Sequence, residues 1–122
     1  MGPKKEMLYD SKIMEVLLSI GISANLHGYH FLKDSIKMVI DDPDYLNHIT
    51  KKMYPAIAHK FNTTTSSVER AIRHALDVSF NKGKMIYLNH LFGVNVFGIN
   101  DRPTNAEFVA LMADRLSMER VK

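Results

Sequence analysis

Residues 66–81, SSVERAIRHALDVSFN, carry the pattern that most narrows the folds open to this chain. At about 100° per residue, Val68, Ile72, Ala75, Leu76 and Ser79 gather on one side of a helix. Ser66, Arg70, Arg73 and Asp77 gather on the other, flanked by Ser67, Glu69 and His74. A helix with one apolar stripe is stable only when that stripe is covered, so other elements must pack on it. Ser66 and Glu69 have capping-box spacing, which predicts a start at Ser66. The helix then runs to about Asn81, with Gly83 beyond it as a stop.

The segment before it is helical in pattern from Tyr45 to Phe61, interrupted by Pro55. Proline removes an N–H and clashes with the preceding turn, so the segment either kinks there or restarts with Pro55 in a first turn. The second reading divides it into DYLNHITKKMY and PAIAHKF. Ile57, Ala58 and Phe61 form an apolar edge, Asn62 suits a left-handed stop, and Asn62–Thr64 leaves a tight connection. Val68 and Ile72 face back toward that edge, and Ala58 is small where two helices must approach. A short supporting helix, a tight turn and a second helix make a helix-turn-helix.

The rest of the chain is helical too. SKIMEVLLSI, capped by Asp10 or Ser11, turns Ile13, Val16, Leu17 and Ile20 to one face and stops at Gly21. YHFLKDSIKMVI points Leu32, Ile36, Val39 and Ile40 inward and ends at DDPD, because the residue before Pro43 resists the helical region. KMIYLNHLF is a shorter helix closed by Gly93, and VNVFGI is either a short extended segment or an irregular loop. Thr104 and Glu107 form a second capping-box pair opening a last helix, with Phe108, Leu111, Met112 and Leu116 inward. The expected architecture is all-α: a compact bundle of about six helices containing the helix-turn-helix. Residues 1–10 are expected as a flexible arm or linker remnant and 11–122 as one effector domain.

Composition allows this. Apolar residues make up 46% and charged residues 24%, enough for a core. The absence of cysteine excludes disulfides, thiolate metal sites and a cysteine nucleophile, and is compatible with the cytoplasm expected for this chain. No apolar run is long enough to cross a bilayer. Six histidines show no metal-binding spacing: His27 and His30 straddle Gly28, and His48, His59, His74 and His90 are scattered. Asp41, Asp42 and Asp44 are read as helix termination beside Pro43. No nucleophile elbow, phosphate loop or dinucleotide pattern is present, so neither an enzyme nor a cofactor is expected.

Charge is uneven. Lys51, Lys52, Lys60, Arg70, Arg73, Lys82 and Lys84 face only Glu69 and Asp77 within 51–84, although the whole chain is only +3. A basic helix of this kind suits double-stranded DNA. The major groove admits one α-helix, arginine bonds two guanine acceptors at once, and Glu69 can accept from a cytosine amino group. Thr64, Thr65, Ser66 and Ser67 at the tip suit phosphate, and Lys60 and Lys82 add basic contacts. The alternative is a helical protein-interaction module with a basic face and no sequence-specific DNA binding.

YPAIAHKFNTTTSSVERAIRHALDVSF resembles the helix-turn-helix of the sporulation master response regulator of endospore-forming Firmicutes. GYHFLKDSIKMVI, FNTT, VERAIRHA, LFG and PTN-EF follow in the family's order. The resemblance runs from Ser11 to Met118 and implies the C-terminal, six-helix DNA-binding effector domain. It implies base contacts by Glu69, Arg70 and Arg73, with His74 and Ser66 assisting at bases or phosphates. It implies paired occupancy of tandem boxes, weak or no dimerisation free in solution, activation or repression of transcription, and control by a phosphorylated receiver domain absent from this sequence. Phe92 and Val96 match apolar positions that the family turns toward the RNA polymerase sigma factor. Tyr87 stands at a third such position, where the best-known relative has serine. Ser67 stands where that relative has arginine.

Overall fold

The computed structural model describes the backbone of residues 3–120 and the side chains of residues 9–118. It is all-α, with no strand among the described residues. The helices are α1 (Pro3–Ser19), α2 (His27–Asp41), α3 (Tyr54–Lys60), α4 (Thr65–Asn81), α5 (Tyr87–Phe92) and α6 (Asn105–Arg120). The first helix starts at Pro3, not at the Asp10 or Ser11 cap that the polar opening led us to expect. Proline is accommodated in a first turn, where its missing N–H has no intrahelical partner anyway. Tyr9, Ile13, Val16 and Leu17 are buried along this helix, and Ile20 is buried just past its end.

Four helices end the same way. At Asn62 the chain turns left-handed with φ 54°. The Asn62 amide donates to His59 O at 3.3 Å and the Thr63 amide to Ala58 O at 2.9 Å. Those two bonds satisfy carbonyls that the end of α3 would leave open. The same pair of bonds recurs around Gly21, Gly83 and Gly93, which all have positive φ. Asparagine tolerates this conformation through its short polar side chain, which is why it serves where glycine serves elsewhere.

Residues 44–53 are not the α-helix that their periodicity suggests. Asp42 is extended, and its carboxylate accepts from the Asp44 amide at 3.1 Å, capping a 3₁₀ helix over Pro43–Asn47. Asn47 donates to Asp44 at 3.0 Å, and this bond leads the causes holding the Asp44 carboxyl below its usual range. His48 breaks the run, and Ile49–Met53 forms one π-helical turn in which the Met53 amide reaches His48 O and the Tyr54 amide reaches Ile49 O. Pro55 lacks the N–H that would close an α-helical bond to Lys51, so the wider turn fits. α3 then begins with Pro55 in its first turn, as the restart reading requires.

The core forms around α2, which packs chiefly on α4 and α6 and also on α1 and α3. Tyr29, Phe31, Leu32, Ile36, Val39 and Ile40 of α2 are buried, and Gly28 sits where α4 passes closest. In α6, Phe108, Met112 and Leu116 are buried as expected, whereas Leu111 is half-buried and Val109 and Ala113 are buried beside them. The capping box at its start is formed: the Thr104 amide donates to the Glu107 carboxylate at 2.9 Å, and the Glu107 amide to Thr104 Oγ1 at 3.1 Å.

Candidate nucleic-acid interface

α3 and α4 pack together across the turn at 61–64. Ile57 and Ala58 of α3 are buried with Val68, Ile72, Ala75 and Leu76 of α4. Phe61, expected on the same apolar edge, is instead half out of the core and meets Phe31 edge-on, with ring centroids 5.1 Å apart. The start of α4 also differs from expectation. Thr64 is the cap: its Oγ1 accepts from the Ser67 amide at 3.1 Å and donates to Ser67 Oγ at 2.8 Å. Thr64 has extended backbone, as a cap requires, whereas Ser66 already lies inside the helix. Glu69 is therefore free of the capping role and turns along the helix to pair with Arg73.

Ser66, Arg70, Arg73 and His74 form the exposed ridge of α4. Thr65, Ser67 and Glu69 lie half-buried along its flanks. Among the described residues no carboxylate pairs with Arg70, whose Nε donates only a long 3.4 Å bond to Ser66 O. The Arg73 side chain keeps 53% of its surface despite its pairing with Glu69. An exposed pair one turn apart is worth roughly 0.2–0.5 kcal/mol, so its members are easily given up to another partner. Asp77 leaves this group: the Arg102 guanidinium, from the segment before α6, pairs with its carboxylate. Position along the helix placed Asp77 among the outward residues but could not show that another segment lies over it.

The edge of α4 beside the ridge is held from outside. Arg102 Nη2 donates to Arg73 O at 3.1 Å, and Nη1 to Pro103 O at 3.0 Å. Asn105, the first residue of α6, donates to Glu69 O at 3.2 Å and to the Tyr54 hydroxyl at 3.2 Å. Burial pushes the Tyr54 phenol above its ordinary range, while the Asn105 amide acts in the opposite direction. Neither Arg102 nor Asn105 stands out at the site from its place in the sequence. The capping pair Thr104–Glu107 was the available signal, because it fixes where α6 starts.

Residues 13–116, most of the chain, match the family described as sporulation initiation factor Spo0A C terminal. The chain belongs to that family. The Spo0A C-terminal domain is the DNA-binding part of a sporulation transcription regulator.

Other residues that the sequence singled out sit elsewhere on this Spo0A C-terminal fold. Lys60 ends α3 beside the turn and is drawn toward α2, with Nζ 2.7 Å from Asp34. Lys82 lies just past the other end of α4, roughly 25 Å from its tip at 1.5 Å per residue, and donates to Gly21 O at 3.1 Å. The fold thus does not gather Lys82 with the tip hydroxyls. Tyr87 and Phe92 bound α5, and Val96 follows Gly93; Tyr87 and Val96 are exposed, and Phe92 is half-buried. Leu91 and Ile99 are exposed nearby. VNVFGI is an irregular loop held by Asn89, which accepts from the Val96 and Phe97 amides at 2.9 and 3.0 Å and donates to Phe97 O at 2.7 Å. Among the described residues no three His, Asp or Glu side chains converge. No helix among them is long and apolar enough to cross a membrane.

Proposed function

We propose that α4 enters the major groove and reads a specific DNA sequence through Arg70 and Arg73, with Glu69, Ser66 and His74 beside them. The observation that carries this reading is the open ridge of α4, on which Arg70 stands exposed with no paired carboxylate among the described residues. A guanidinium presented this way can give two bonds to guanine. Thr65, Ser66 and Ser67 flank the tip, where helix amides and hydroxyls suit phosphate, and Lys60 stands close by. Thr64 contributes by fixing the tip.

One recognition helix offers a limited contact area, so copies pair on tandem boxes while the free domain stays monomeric or nearly so. Tyr87, Phe92 and Val96, on the separate surface formed by α5 and its following loop, meet the RNA polymerase sigma factor. A receiver domain controls the module, which works in the cytoplasm on the chromosome.

Competition binding with a sporulation-promoter duplex against a scrambled one tests the reading. Arg70→Ala and Arg73→Ala are each expected to lose about 1–3 kcal/mol of specific binding with unchanged helicity. Variants that bind both duplexes as the wild-type chain does would remove α4 from the recognition role. A wild-type chain with no preference between the duplexes would instead support a basic protein-interaction module.

A further inference from the structure

Glu69, Arg73 and Asp77 succeed one another at intervals of four along a single edge of α4. Each is gripped by a residue at the start of α6 or in the segment just before it. Asn105 takes the Glu69 carbonyl, and Arg102 takes both the Arg73 carbonyl and the Asp77 carboxylate. The carbonyls held in this way belong to two of the residues proposed to read bases. The gripping side chains are themselves fixed. Pro103 is buried, the Thr104–Glu107 capping box sets the start of α6, and the Tyr54 hydroxyl anchors Asn105 to α3.

We propose that Arg102 and Asn105 are positioning residues for base readout, setting the roll and depth of α4 without touching DNA. This rests on the reading of α4 as the recognition helix. A helix with its side chains is about 10–12 Å across, so a roll of about 10° moves a side-chain tip by about 1 Å. A directed site tolerates roughly 0.5 Å. Apolar burial on the opposite face limits separation of the helices but restrains rolling weakly, because it is not directional. Hydrogen bonds to main-chain carbonyls on the edge supply the missing restraint.

Two other roles for Arg102 give different results. A phosphate contact would weaken binding to every sequence and carry one unit of salt dependence. A purely stabilising contact would lower the melting temperature and leave sequence preference alone.

The test measures affinity for target and scrambled duplexes at several salt concentrations, alongside thermal unfolding, for the full chain. Arg102→Ala should cut the preference for target at least tenfold, with scrambled binding within about twofold and the salt slope unchanged. Arg102→Lys keeps the charge but loses the planar fork, and should recover little of the preference. Asp77→Asn removes a negative charge near the ridge, which by simple electrostatics would strengthen binding; a loss of preference is expected instead. The double variant should be no worse than the worse single one, as for partners in one interaction. Asn105→Ala should follow the same pattern. An unchanged preference in Arg102→Ala and Asp77→Asn would overturn the proposal. So would an equal loss on both duplexes with a shallower salt slope. A wild-type chain without preference would overturn the DNA reading as well, so the two failures are distinct.

Discussion

Gly28 lies against the main chain of Ala71: a β-carbon at Gly28 would stand 2.2 Å from the Ala71 carbonyl oxygen and 2.7 Å from Ala75 Cβ. The obstacle is backbone and a short side chain, so nothing flexible can move aside. The contact joins the first turn of α2 to the middle of α4, and so sets how deeply α4 is seated.

Gly28→Ala should therefore destabilise the domain by roughly 1–3 kcal/mol or more, the range for an overpacked core. Urea unfolding is the measurement. DNA affinity at a temperature where the variant is still folded should fall too, because α4 must shift to admit the methyl group.

The cap of α4 separates two adjacent hydroxyl residues. Thr64→Ala removes the acceptor for the Ser67 amide and should cost about 1 kcal/mol. Ser66→Ala, inside the helix and exposed, should change stability by less than about 0.5 kcal/mol. Equal losses in the two variants would mean that Ser66 shares the capping.

Asn89 holds the loop after α5 by three bonds. Asn89→Ala leaves the Val96 and Phe97 amides without that acceptor, so their hydrogen exchange should accelerate, with a stability loss of about 1–2 kcal/mol. Sequence-specific DNA binding should persist, since α4 is held from other directions. Binding to a sigma factor, measured separately, should weaken.

Alkaline pH gives a fourth expectation. The buried Tyr54 phenol has its pKa raised above the ordinary 10.0, so the unfolded chain gives up its proton first. Stability from this group is complete below pH 10.0 and is lost as pH rises through the folded value. Tyr29 acts in the same direction, through burial and then the charge of Asp10. The urea midpoint should drop above pH 10.0, and Tyr54→Phe should flatten part of that drop.

Much of the fold was legible because it depends on near neighbours in the chain. The left-handed stops at Gly21, Asn62, Gly83 and Gly93 and the Thr104–Glu107 capping box all involve residues within about five positions. The apolar faces of α2 and α4 follow from the helical repeat alone. Where two local signals competed, sequence was less decisive. Ser66 and Thr64 both suit a cap, and backbone conformation chose Thr64. The polar opening lacks a clear stripe, yet α1 begins at Pro3. Residues 44–53 have helical periodicity, but Asp42 and Pro55 impose 3₁₀ and π turns.

The outward ridge of Arg70, Arg73 and His74 was determined by the sequence itself, since spacing along a helix fixes which side chains share a face and the buried face fixes which of them stay wet. The tertiary structure alone decided that Asp77 is taken by Arg102, that Asn105 holds the Glu69 carbonyl, and that Gly28 must lack a side chain. These depend on where distant segments meet, and no period in the chain records the separation between two packed backbones.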